Sequence, residues 1–239
     1  MQIINHPSPN AGPRIQAGPP FMLVYHATWM ADVETSIRRL CDPKSQVSCH
    51  YVIGRCGTVW QLVDPKLRAW HAGRSWWRGI LDVNSAAIGI EIQAAHPGDG
   101  IETFTDAQIQ HLLLLVDNLT RRYSIADWGH VAHHDIAPQR KQDPGPYFPW
   151  ALLAAHGFGW WPERSSSPFL ENINDHGKDG MERDLGTVLD QLGYDPSALL
   201  DARICAFHAR FRPQHMHRPA DEISYRLALN CLRAWGPFS

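Results

Sequence analysis

The residues with the clearest chemical potential lie between Val131 and Trp150, in the run VAHHDIAPQRKQDPGPYFPW. Two imidazoles, His133 and His134, stand ten and nine residues before a carboxylate, Asp143, with Lys141 between them and prolines at 138, 144, 146 and 149. Proline fixes φ and removes a backbone donor, so this run is a stiffened loop rather than a helix interior or a central strand. Neutral imidazole and carboxylate are the nitrogen and oxygen ligands that Zn²⁺ accepts, and a catalytic zinc takes three protein ligands while leaving one position open for water. Two such ligands are present here, so a third must come from another segment. An ordinary surface loop has the same composition, and the run alone does not choose between the two.

Three further segments carry groups that could join it. Residues 86–93, AAIGIEIQ, read as a buried strand with Ile88, Ile90 and Ile92 on one face and Gly89, Glu91 and Gln93 on the other. A carboxylate in such a strand is costly unless it is paired or used. Glu91 therefore either meets a basic partner or sits at a cleft with a raised pKa and acts as a general base. His26 follows the apolar run FMLVY at 21–25; it is either a core histidine or a site residue, since strand ends are where α/β folds expose their chemistry. The segment AWHAGRSWWRG, 69–79, has no clean period and reads as a long surface loop. It carries His71, Arg74, Trp76, Trp77 and Arg78, types that stack on and hydrogen-bond to sugar or peptide ligands.

The elements that must position these groups alternate between strand and helix. Asp32 offers an N-cap for a helix through Leu40, and Thr105 for a longer one through Tyr123 with Ile109, Leu112, Leu113 and Val116 as its core stripe. Residues 48–53 and 58–63 flank Gly54–Gly57 as a β-hairpin. This alternation predicts an α/β domain over 1–162, a mixed central sheet flanked by helices. Residues 163–180 shift to Ser, Asn, Asp and Gly and read as a linker. Beyond it, 183–192, 196–211 and 221–235 are amphipathic, which predicts a small three-helix domain over 181–239.

Composition narrows the partners. A net charge of −2 in 239 residues and a pI near 6.7 give no support to a nucleic-acid partner. No window reaches the length of a membrane span, and the amino terminus, MQIINHPSPNAGPR, lacks a basic region followed by an apolar one. The expected location is cytoplasmic, or periplasmic if a signal has been removed. Five cysteines without a CxxC pair are expected to be free thiols, with a Cys41–Cys49 bridge open only to an exported chain. Fourteen histidines and ten tryptophans suit a polar ligand-binding cleft.

Taken in order, the strand ending in His26, SCHYVI, the hairpin, AWHAGRSWWRG, IGIEI and HHDIAPQRKQDPGPYFPW resemble the zinc N-acetylmuramoyl-L-alanine amidases of the type-2 amidase superfamily, over roughly residues 20–160. Within it they are similar to the branch of anhydro-muropeptide amidases and their lipoprotein relatives. GTVLDQLGYD and ICAFHARFRP, further on, are similar to a three-helix peptidoglycan-binding module. The resemblance implies one Zn²⁺ held by His26, His133 and Asp143, with Glu91 as acid/base and Lys141 stabilising the oxyanion. It implies hydrolysis of the amide between N-acetylmuramic acid, or its 1,6-anhydro form, and L-alanine of the peptidoglycan stem. It also brings His50, His71, Arg74, Trp77 and Asn84 near the substrate. This chain has Tyr25-His26-Ala27-Thr28 where the family has His-Tyr-Thr after an apolar residue, and Ala132-His133-His134-Asp135 where the family has Gly-His-Ser-Asp. Alignment to that motif selects His133 as the ligand and leaves His134 beside it.

Two other classes compete. A non-catalytic peptidoglycan-recognition protein would lack part of the zinc set, all of which is present here. A zinc peptidase of the common layout would carry HExxH, which is absent. Soluble anhydro-muropeptide and polymeric wall both remain as substrates. If the C-terminal helices bind glycan, Phe207, His208, Arg210 and Arg212 should line an exposed groove; if these face the first domain, the helices are structural.

Overall fold

The computed structural model describes residues 2–15, 18–95, 104–162 and 178–238, with side chains in the last segment from residue 184. The chain runs β1 (Ile3–Asn5), β2 (Ala11–Pro13), β3 (Met22–Ala27), α1 (Val33–Cys41), β4 (Tyr51–Ile53), β5 (Val59–Gln61), β6 (Leu67–Ala69), α2 (Val83–Ala86) and β7 (Ala87–Ile92). It continues through α3 (Asp106–Tyr123), β8 (His130–Ala132), α4 (His133–Ile136), α5 (Trp150–Ala155), α6 (Lys178–Leu192), α7 (Leu200–Phe211) and α8 (Glu222–Trp235). Six strands form a mixed sheet in the order β1-β5-β4-β7-β3-β8, and β2 pairs with β6 in a small second sheet. β3 lies parallel to both β7 and β8, and β4 is parallel to β7 but antiparallel to β5. The expected mixed sheet with flanking helices is the observed fold.

Alternation along the central strands divides the sheet into two faces. Leu23 and Tyr25 of β3, with Ile88, Ile90 and Ile92 of β7, pack against Leu112, Leu115, Val116 and Leu119 of α3. Met22 and Val24, with Ala87 and Val131, face the other way, into a cluster that also holds Leu185, Leu189, Phe207 and Trp235 of α6–α8. Each such fully buried side chain contributes about 1.5–3 kcal/mol relative to exposure, so both helical layers are strongly held. β3 is buried along all six residues because it is covered on both faces.

Local signals behave as their chemistry requires. The Asp32 carboxylate accepts from Thr35 N–H at the start of α1. At the start of α3, Thr105 Oγ1 accepts from Gln108 N–H while Gln108 Oε1 accepts from Thr105 N–H, a full capping box. The buried stripe of α3 is Gln108, Leu112, Leu115, Val116 and Leu119; Ile109 and Leu113, expected in it, are only half-buried. Gln108 displaces them because its amide donates to the Gln93 carbonyl at 2.8 Å, tying the helix to the end of β7.

Several expectations change. The amino-terminal run MQIINHPSPNAGPR, for which the sequence suggests no element, contributes β1, which pairs with β5, and β2, which pairs with β6. Residues 69–79 do not form a simple surface loop, since His71 and Trp77 within it are buried. Phe207, His208, Arg210 and Arg212 line no exposed groove, being 0–5% exposed. His208 Nε2 meets Ser224 Oγ at 2.7 Å, and Arg212 also donates to Ser224 Oγ. The expected linker, 163–180, lies outside the described residues except where α6 begins. All five cysteines are free. No helix among the described residues is long and apolar enough to cross a membrane.

Candidate active site

The site is built at the carboxyl ends of three neighbouring parallel strands, where open α/β sheets place their ligands. His26 is the fifth residue of β3, and its register partner on β7 is Glu91. β8 ends at Ala132, and His133 begins the single turn of α4. The loop after α4 turns back on itself, with Lys141 N–H donating to the Ala137 carbonyl at 3.0 Å. His134 N–H donates to the Asp143 carbonyl at 3.0 Å, which fixes the loop against α4.

These elements bring His26, His133 and Asp143 together, all buried. His26 Nδ1 lies 2.9 Å from His133 Nδ1 and 3.2 Å from Asp143 Oδ2, and His133 Nδ1 lies 3.0 Å from the same oxygen. The outer ring nitrogens bear on the tautomers, and for His133 the partner is decisive. His133 Nε2 faces the Ala72 carbonyl at 3.2 Å, which can only accept, so Nε2 carries the hydrogen and Nδ1 presents a lone pair. His26 Nε2 faces His71 Nδ1 at 3.1 Å, and the tautomer in which His26 donates there leaves its own Nδ1 bare. Burial first, and the neighbouring His133 second, push the His26 imidazole down to about 4. In that tautomer two imidazole lone pairs and a carboxylate oxygen converge with no donor among them. A cation satisfies that arrangement, and a donor set of two nitrogens and one oxygen suits zinc.

Glu91 stands beside this cluster. Its Oε2 is buried with no hydrogen-bond partner among the described residues. Burial first and the Asp143 charge second push its carboxyl up to about 8, while Lys141 pulls it down. Among the described residues no basic side chain forms an ion pair with it, which favours the second of its two sequence readings, a group held for use. Glu91, Lys141, His71, His133 and Asp143 line one cleft of about 470 Å³, a volume that fits a small ligand.

The remaining expected contacts are distributed otherwise. His50 is fully buried and outside the cleft lining; its Nδ1 accepts from Gly89 N–H at 2.9 Å and its Nε2 meets the Leu67 carbonyl at 3.1 Å. Asn84 is buried, and its Oδ1 accepts from the N–H groups of His71 and Ala72 at 2.9 and 2.8 Å, so it shapes the loop that carries His71. Trp77 packs between Tyr194 and Trp235, away from the cleft, and its Nε1 donates to the Trp128 carbonyl. Arg74 is exposed and outside the cleft lining.

The lining also includes residues that the sequence did not single out, among them Trp29, Met30, Arg39, Trp70 and Arg140. Arg140 braces the site, its Nη2 donating to the carbonyls of Ala72 and Arg74 at 2.7 and 2.8 Å. Their signal was adjacency. Trp29 and Met30 follow the strand that ends near His26, Trp70 precedes His71, and Arg140 precedes Lys141.

Comparison with known proteins agrees with this geometry. Residues 16–146 match the Amidase_2 family, N-acetylmuramoyl-L-alanine amidase. The chain is 36% identical over 247 residues to the N-acetylmuramoyl-L-alanine amidase AmiD of Escherichia coli K12, covering 95% of this chain and 85% of the relative. It is 41% identical over 110 residues to the 1,6-anhydro-N-acetylmuramyl-L-alanine amidase AmpD of Citrobacter freundii, covering 46% of this chain and 57% of that protein. The fold superimposes with a TM-score of 0.78 on E. coli AmiD in complex with anhydro-N-acetylmuramic acid-L-Ala-D-γ-Glu-L-Lys, at 34% identity over 92% of each chain. For Pseudomonas aeruginosa AmpDh3 in complex with anhydromuramic pentapeptide the TM-score is 0.76 and the identity 28%, over 93% of this chain and 94% of the other. Sequence, fold and the converging side chains agree: the chain belongs to the N-acetylmuramoyl-L-alanine amidase family.

Proposed function

We propose that this protein hydrolyses the amide bond between N-acetylmuramic acid, or its 1,6-anhydro form, and the L-alanine of a peptidoglycan stem peptide, and that His26, His133 and Asp143 hold a zinc ion for that reaction. The observation that carries the proposal is the convergence of buried His26, His133 and Asp143 at a cleft whose lining includes Glu91, with Glu91 Oε2 buried and without a hydrogen-bond partner among the described residues. The bound muropeptides of AmiD and AmpDh3 support the substrate class.

A zinc ion held there would supply Lewis acidity, lowering the pKa of a water and polarising the amide carbonyl. Glu91 takes the proton from the attacking water, a role suited to a carboxyl raised by burial. It then gives that proton to the departing L-alanine amine, so the base of the first half becomes the acid of the second. Lys141, on the cleft wall, balances the charge that develops on the carbonyl oxygen. The bond broken is C–N, the bond formed is C–O, and the products are a free lactyl carboxylate and a free peptide amine.

The test combines zinc content with release of stem peptide from soluble anhydro-muropeptide and from intact sacculi, with Asp143→Ala as the control. Cleavage of the soluble substrate alone makes the protein a recycling enzyme, and cleavage of sacculi makes it a wall hydrolase. Binding of either by zinc-loaded protein without cleavage would overturn the catalytic assignment in favour of recognition alone.

A further inference from the structure

The C-terminal helices reach the candidate metal site through one buried cation. Arg210 of α7 donates from Nη1 to Asp135 Oδ2 at 3.1 Å and to the His130 carbonyl at 2.8 Å. The side chains of Arg210 and Asp135 are 1% and 0% exposed. The guanidinium lies 4.1 Å from the Trp150 ring and 5.1 Å from that of Trp235, so aromatic faces replace the water it has lost. Asp135 accepts two further bonds, from the Tyr194 hydroxyl at 2.8 Å and from Ala132 N–H at 2.8 Å.

Asp135 thereby holds the chain where β8 turns into α4, the turn that aims His133. Two of its three donors come from beyond residue 178. A second tie runs to the loop that carries His71. Arg78 N–H donates to the Gly193 carbonyl at 2.8 Å, and its guanidinium reaches the carbonyls of Leu192 and Gly236 at 3.2–3.3 Å. Gly193, at φ +110°, would carry a Cβ only 3.0 Å from Arg78 backbone atoms, so glycine permits this approach. Both segments that border the metal ligands are thus anchored in the same C-terminal layer.

Simple docking of two layers needs none of this. The shared apolar cluster already joins them, and a buried ion pair generally adds no stability over an apolar replacement of similar volume. What these contacts supply is direction, since Arg210 Nη1 holds one carboxylate oxygen, Oδ2, and the Tyr194 hydroxyl holds the other, Oδ1, so the group is fixed from both sides. We infer that Arg210 and Tyr194 are positioning residues for His133, acting through Asp135, and that the C-terminal helices are a working part of the metal centre rather than a separable glycan-binding module. This inference rests on the assignment of His26, His133 and Asp143 as metal ligands.

The test is zinc affinity of the full chain, measured by competition with a chromophoric chelator, for the wild type, Arg210→Met, Tyr194→Phe and Leu189→Ala. Leu189 is fully buried in the shared cluster, so its truncation loosens the C-terminal layer without touching Asp135. Arg210→Met is expected to weaken zinc binding about 10–100-fold, as loss of support behind a ligand does. Tyr194→Phe is expected to weaken it less, and Leu189→Ala to keep wild-type affinity despite a lowered melting temperature. Wild-type affinity in both Arg210→Met and Tyr194→Phe, or an equal loss in Leu189→Ala, overturns the inference while leaving the ligand assignment intact. A wild type that binds no zinc overturns both. Tyr194→Phe removes a single hydroxyl and decides the matter if Arg210→Met fails to fold.

Discussion

His26 and Glu91 are register partners on adjacent parallel strands, β3 and β7, and both side chains leave the sheet on the same face. Their separation is set by the strand spacing of about 4.8 Å, not by a flexible loop. The proposed metal ligand and the proposed acid/base, mounted this way, cannot drift apart without breaking the β3–β7 pair of the sheet.

Glu91→Gln keeps the shape and removes the base. The expected result is a loss of about 10²–10⁴-fold in kcat with zinc content unchanged. In the wild type the ionised form is the working form, so kcat/KM should fall as pH drops through the Glu91 pKa. Burial and Asp143 put that value at about 8 without a metal, and a bound dication moves the limb to lower pH by favouring the charged carboxylate. A pH–rate profile with no acidic limb would remove Glu91 from the role.

Lys141→Met should act on kcat more than on KM. A charge that meets developing negative charge is worth more in the transition state than in the ground state, and losing one such donor costs about 10²–10³-fold. Steady-state kinetics on a soluble muropeptide would show the split; a rise in KM alone would make Lys141 a plain binding residue.

His71 Nδ1 meets His26 Nε2 at 3.1 Å, and Gly89 makes room for the His71 ring. A Cβ at 89 would sit 2.5 Å from His71 Cγ, so the ring must move. Gly89→Ala and His71→Phe should therefore each weaken zinc binding, by about 10–100-fold for the loss of the acceptor. Chelator competition measures both, and wild-type affinity in His71→Phe would show that His26 needs no partner at Nε2.

Acid should unfold the metal-free protein early. Burial, followed by the charge of Arg14 for His50 and of Arg210 for His130, pushes each imidazole down to about 3. The unfolded chain protonates these groups near 6.5, so below that pH it binds protons that the folded state refuses. Stability is complete above about 6.5 and is lost progressively as pH falls from there towards 3. Thermal melts of metal-free protein at pH 7 and pH 5 should differ clearly, and equal melting temperatures would contradict the burial of these imidazoles.

The sequence was most legible where a local rule has a tertiary consequence. The alternation of IGIEI fixed which face Glu91 occupies, and Thr105 and Asp32 announced their helices by capping chemistry. It was least legible where a long-range partner decides. Trp77 and Arg78 read as ligand-facing because nothing local reveals that Tyr194, Gly193 and Trp235 cover them. Arg210 read as a candidate for a glycan groove because its partner, Asp135, is 75 residues away. β1 and β2 were missed because three-residue strands carry too few positions to show a period.

The separation of the three proposed ligands along the chain also bears on how the centre comes into being. His26 is 107 residues from His133 and 117 from Asp143, and they meet only when β8 adds to the free edge of β3. Such distant parallel pairing is among the slower events in folding. During synthesis, the first ligand leaves the ribosome long before the other two exist, and no fragment that stops short of β8 can assemble the set. The three side chains come together in one late step, with the addition of β8 to the sheet.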